Sequence, residues 1–180
     1  DDPKKPFRVG VYELDSPGHS IHDVWIEDGI AYSSNWADGV VAVDIGAKKH
    51  KEADRSKSQF NPLLAKAGQG SPSNPIKLAE MKDPTGRNHA AFPYTSESTG
   101  QFYIVGGDEN FPWGVMATKN KPSNPRGAYH FLNFTDPENP TEDAIYEVPE
   151  AGSHNLWIYG DMLLAGNYQG GFRVVDISGE

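Results

Sequence analysis

The chain has 180 residues, with 25 Asp plus Glu against 16 Lys plus Arg, a formal net charge of -9 and no cysteine. The length suits one domain or part of a larger one. The acidic balance argues against a nucleic-acid backbone as the main partner, and the lack of cysteine removes disulfides, thiolate metal sites and a Cys nucleophile together.

No apolar run approaches the roughly 18 residues of a membrane span. The 19 Gly and 14 Pro favour short strands joined by turns over long helices. In chain order, alternating side chains predict strands at residues 6–12, 21–26, 30–33 and 40–44. Residues 47–74 form a long polar connection with one helical turn over Pro62 to Ala67 and only Phe60, Leu63 and Leu64 to anchor it, and so read as a mobile loop. Its basic cluster, Lys48-Lys49-His50-Lys51, is followed by Glu52 and Asp54 and reads as solvated. Further strands are predicted at 75–80, 88–93, 102–107, 129–134, 141–146, 153–158, 162–165 and 172–176, with an insertion over 111–125.

These strands recur. Ile21-His22-Asp23-Val24-Trp25-Ile26 matches Ser153-His154-Asn155-Leu156-Trp157-Ile158, and the match runs on at a constant offset of 132 through Asn35 and Asn167, Gly39 and Gly171, to Val43-Asp44-Ile45 and Val175-Asp176-Ile177. A looser copy between them opens on Asn88-His89-Ala90-Ala91-Phe92-Pro93 and closes on Tyr129 to Phe134. The units span approximately residues 18–83, 84–146 and 147–180 of one domain, 1–180. Four antiparallel strands per unit is the pattern of a β-propeller blade.

Gly39-Val40-Val41-Ala42-Val43-Asp44-Ile45 and Gly171-Phe172-Arg173-Val174-Val175-Asp176-Ile177-Ser178 resemble the LVIVD repeat, and Phe134-Thr135-Asp136-Pro137-Glu138-Asn139-Pro140 resembles the link that follows it. The opening Asp2-Pro3-Lys4-Lys5-Pro6 looks like the same link. The middle copy departs, with Leu132-Asn133 where the pattern has Val-Asp. The resemblance implies a periplasmic or extracellular propeller without an assigned activity. Three blades do not close a ring, so the expectation is about three blades of a larger propeller, completed by further blades of the same propeller or by another chain.

Alternating strand directions collect His22, His89 and His154 on one rim, with Asn35, Trp36, Asp108, Glu109, Trp113, Asn167 and Tyr168. Two readings of the histidines stand side by side. They can cap the strands structurally, or they can hold copper, zinc or iron at the channel mouth, with Asp23, His19 and Asn88 orienting them. Asp108-Glu109-Asn110 offers oxygen ligands for calcium but lacks an alternating ligand pattern. Trp36, Tyr168 and Trp113 are candidates for stacking on a carbohydrate or peptide. Trp25, Phe92 and Trp157 share one repeat position and read as core between blades, as does mid-strand His130. Asp44 and Asp176 read as turn-tying carboxylates. Asn133-Phe134-Thr135 matches a glycosylation sequon at a strand end and carries little. The expected function is a binding or scaffold module that recognises a partner at this rim; the alternative is a metal-dependent enzyme. No nucleophile elbow, phosphate loop or dinucleotide fingerprint is present.

Overall fold

A computed structural model of the chain describes residues 2–16, 19–49, 60–82, 85, 87–109, 127–149 and 151–179. His50, Asn110 and Trp113, and the insertion over 111–125, lie outside the described residues. The fold is all-β, with three antiparallel sheets. Sheet 1 orders β1 (Asp23–Glu27), β2 (Ile30–Ser34), β3 (Val40–Asp44) and β4 (Ile76–Met81). Sheet 2 orders β5 (Asn88–Thr95), β6 (Phe102–Asp108), β7 (Gly127–Asn133) and β8 (Thr141–Val148). Sheet 3 orders β9 (Leu156–Tyr159), β10 (Met162–Asn167) and β11 (Gly171–Asp176). Among the described residues no helix is long and apolar enough to cross a membrane.

Within each sheet successive strands pair antiparallel in chain order, most across short turns and β3 with β4 across the 47–74 connection. At two equivalent turns a glycine is required: Gly39 and Gly171 hold φ of 71° and 72°, a region costly for other residues. The first strands lie side by side, with β5 touching both β1 and β9. The predicted strand over residues 6–12 is not one. Its backbone has no ladder partner among the described residues, and a strand exists only by pairing.

The sheets stack head to tail. One face of sheet 1, with Tyr32, Val40 and Ala42, packs on Ala91, Ile104 and Leu132 of sheet 2. The opposite face of sheet 2, with Phe92, Val105 and Tyr129, packs on Ile158, Leu163 and Ala165 of sheet 3. Trp25, Phe92 and Trp157 meet along the first strands, their ring centroids 4.6–5.3 Å apart.

The described part of the 47–74 connection is docked rather than loose. Leu63 and Leu64, from α1 (Leu63–Lys66), are buried in the first core. The Asp44 carboxylate accepts hydrogen bonds from the backbone N–H groups of Gly46 and Ala47, as the turn-tying reading requires, and also from Gly68, Gln69 and Gly70. Burial pushes this carboxyl up, but the backbone donors win and hold it at about 2.

Candidate metal centre

Each histidine sits where a first strand meets the end of a second. The His22 N–H donates to the Ser34 carbonyl at 2.8 Å, and the His154 N–H donates to the Gly166 carbonyl at 2.9 Å. His89 lies inside β5 beside a register shift between Asn88 and Ala90. Because β1, β5 and β9 are neighbours, the three imidazoles form a row, with centroids 4.4 Å apart for His22 and His89 and 4.1 Å for His89 and His154.

Glu109 joins them. Its Oε2 lies 3.7 Å from His22 Nε2 and 3.8 Å from His89 Nε2, and its Oε1 lies 3.5 Å from His154 Nε2. These separations exceed hydrogen bonds. Two ligands about 2.1 Å from one ion at the tetrahedral angle stand about 3.4 Å apart, so they are close to the spacing of groups that share an ion. Ligand atoms of His22, His89 and Glu109 all fall within 4.8 Å of one another. His154 approaches through the other carboxylate oxygen, so Glu109 bridges the row.

The electrostatics suit the same set. Burial first, then the neighbouring His154, lowers the His89 imidazole below its ordinary value, keeping a lone pair free at neutral pH. Among the described residues, His89 Nδ1 is buried without a hydrogen-bond partner. Tyr168 donates its hydroxyl to Glu109 Oε1 at 2.7 Å, which fixes the carboxylate; burial, then that carboxylate, raises the phenol's pKa.

Aromatic rings close both ends of the row. Trp36 lies 4.3 Å from His22, and Tyr168 lies 5.3 Å edge-on to His154. Both take a left-handed backbone, φ 52° and 28°, that non-glycine residues rarely adopt. Each follows a buried asparagine whose amide is spent inward. Asn35 donates to the carbonyls of Ser33 and Gly39, and Asn167 donates to Ala165 and accepts from Tyr129. These asparagines shape the rim.

Asp108 faces away from the row. It accepts from Thr85 at 2.9 Å and contacts His130 Nε2 at 3.2 Å, while His130 Nδ1 contacts Glu142 at 2.9 Å. His130 is therefore buried between two carboxylates as well as packed. His19 pairs with Asp38, outside the cluster. Asn88 donates to the Ala90 carbonyl, and Asp23 accepts from the Val24 N–H.

Residue spacing from the histidines did not single out Glu109 as a member of the row. Strand register does. Gly107 pairs with Ala90 as Ser34 pairs with Asp23, so Asp108-Glu109 stands where the other sheets have Asn35-Trp36 and Asn167-Tyr168. Sheet 2 thus presents a carboxylate at the position where its neighbours present a ring. Beside His154 a cleft of about 390 Å³, lined by Asn155, Tyr168 and Phe172, opens next to the row. Neither family models nor curated proteins nor solved structures yield a match to this chain.

Proposed function

We propose that the three sheets are consecutive blades of a β-propeller, and that His22, His89, His154 and Glu109 hold a first-row transition-metal ion at the mouth of its channel, making the protein a metal-dependent enzyme. The observation that carries this reading is the gathering of three imidazoles from three sheets around one carboxylate at 3.5–3.8 Å. A structural capping role needs each histidine only at its own strand end and gives no reason for Glu109 to stand among them. Imidazole and carboxylate without thiolate suit zinc or iron(II). Such an ion would act as a Lewis acid on an oxygen-bearing substrate reaching the row of histidines from the rim. The secreted or periplasmic address rests on the LVIVD resemblance and belongs to the same proposal.

A second reading, a module that binds a protein or carbohydrate at this rim, is favoured by the strained, paired placement of Trp36 and Tyr168. Elemental analysis separates the two. Protein purified without chelators or a histidine tag is expected to carry near-stoichiometric zinc or iron, and the His22→Ala/His89→Ala/His154→Ala variant none. Absence of metal from the parent, together with failure to take up added zinc or iron(II), overturns the metal reading and leaves the binding module.

A further inference from the structure

The faces left open at the two sides of the stack belong together. Sheet 3 exposes Trp157, Tyr159, Phe172 and Val174 on its outer face, Phe172 at 68% and Val174 at 56%. At the offset of 132, Trp157, Leu164 and Val174 are the counterparts of Trp25, Tyr32 and Ala42, the positions by which sheet 1 packs on sheet 2. The other face of sheet 1, where Tyr12 and Leu14 cover Ala31 and Val43 and leave Val24 and Ile26 half-exposed, is the counterpart of the Leu163 and Val175 face that sheet 3 turns toward sheet 2. Each open face therefore carries the partner of the other.

Residues 2–14 supply the missing edge. Asp2-Pro3-Lys4-Lys5-Pro6 aligns with Asp136-Pro137-Glu138-Asn139-Pro140, and Val11-Tyr12-Glu13-Leu14 with Ile145-Tyr146-Glu147-Val148, which end β8. The packing agrees. Tyr12 and Leu14 lie on Ala31, Val41 and Val43 of sheet 1, as Tyr146 lies with Leu163 and Val175 of sheet 3. Lys77 of β4 pairs with Asp15, so the segment runs beside an outer strand. Phe7, Val9 and Val11 are exposed. Meanwhile, among the described residues β11 is a sheet edge, and between it and β8 lies an apolar groove of about 360 Å³ lined by Ile145, Tyr146, Val175 and Ile177. An unpaired edge flanked by an apolar groove is what strand addition requires.

We propose that two copies of this chain close one six-sheet ring, residues 6–14 of each pairing antiparallel with β11 of the other as its fourth strand. A two-fold axis relates the copies, so the same pairing is made twice, and neither of the two stacked ends is left uncovered. The inference rests on the propeller reading but not on the metal. The register follows from the other sheets. His130 faces Ile145 and Asn133 faces Thr141, which places Val11 opposite Arg173 and Phe7 opposite Asp176. Sheets 1 and 2 both shift register at this strand, between Ala42 and Val43 and between Phe131 and Leu132, so Val9 takes the bulge.

The chain has no cysteine, so a cross-link reports cleanly. Sedimentation equilibrium at micromolar concentration is expected to give twice the chain mass, and Phe172→Asp to halve it with the circular dichroism spectrum intact. A mixture of Val11→Cys chains with Arg173→Cys chains is expected to oxidise to one covalent heterodimer. A parent of single-chain mass overturns the proposal and assigns the open faces to a partner other than a second copy. A double mutant carrying both cysteines that forms a ladder beyond two chains overturns the closed ring. Metal content is read separately, so the ring and the metal centre fail independently.

Discussion

Sheets 1 and 3 carry nearly the same sequence pattern and live in opposite surroundings. In sheet 1, β3 is buried along its whole length, hydrogen-bonded to β4 and roofed by the α1 segment; in sheet 3, β11 is mostly exposed and forms an edge. Val40 has no exposed surface, while its counterpart Phe172 is 68% exposed. Asp44 accepts five backbone N–H groups, whereas its counterpart Asp176 accepts from Ser178 alone among the described residues. Equal sequence sets equal strands and turns. What each strand is worth depends on which neighbours have been stacked and paired against it.

The sharpest way to break this comparison is at the aspartates. Asp44→Ala strands five donors in a buried turn and should cost about 3–5 kcal/mol, a fall of roughly 6–20 °C in Tm, since each buried donor left unpaired costs about 1–3 kcal/mol and the set partly relaxes. Asp176→Ala should leave the melting temperature unchanged. Equal shifts from the two would mean that the α1 segment does not dock on β3.

Smaller effects are expected at the apolar pair. Val40→Ala removes buried methyl groups and should cost about 1–2.5 kcal/mol by urea denaturation. Phe172→Ala should leave the stability of the isolated chain within about 0.5 kcal/mol of the parent. A large loss at Phe172 in a chain shown to be monomeric would place its ring in a core.

Acid titration reads the same contrast more finely. The Asp44 carboxyl is held at about 2 against an ordinary value of 3.8. A depressed carboxylate contributes fully above its unfolded value, and that contribution is lost as pH falls through 3.8 toward 2. The shift is worth about 2 kcal/mol at neutral pH. The parent should therefore lose stability between pH 4 and about 2. Asp44→Asn should start lower and show a shallower fall over that window, and parallel curves would contradict the assignment.

Much of this architecture is written in local chemistry. The strands follow from alternation bounded by Gly and Asn turns, and the three histidines come together because the same position of three hairpins lies at the same end. Asp44 was legible as a turn-tying carboxylate, though its reach to Gly68 depends on a long connection that polar composition made look loose. Glu109 was placed on the rim beside Trp36 and Tyr168 but not among the histidines, because the longer β5–β6 loop hides its residue-for-residue equivalence to those rings until the register is known. Asn35 and Asn167 were read as rim ligands from their position, but an amide beside a left-handed residue is drawn into the turn it stabilises. Residues 6–12 have a strand's sequence but find no strand partner among the described residues. Strand formation needs a partner's backbone, which the segment's own residues do not specify.

Anomalous diffraction from crystals of the zinc-loaded chain tests whether three sheets assemble one metal centre. A single strong peak is expected, bonded at about 2.0–2.2 Å to Nε2 of His22 and His89 and to Glu109, with His154 completing the set. No peak there, or a peak only beside His130 and Asp108, would contradict it.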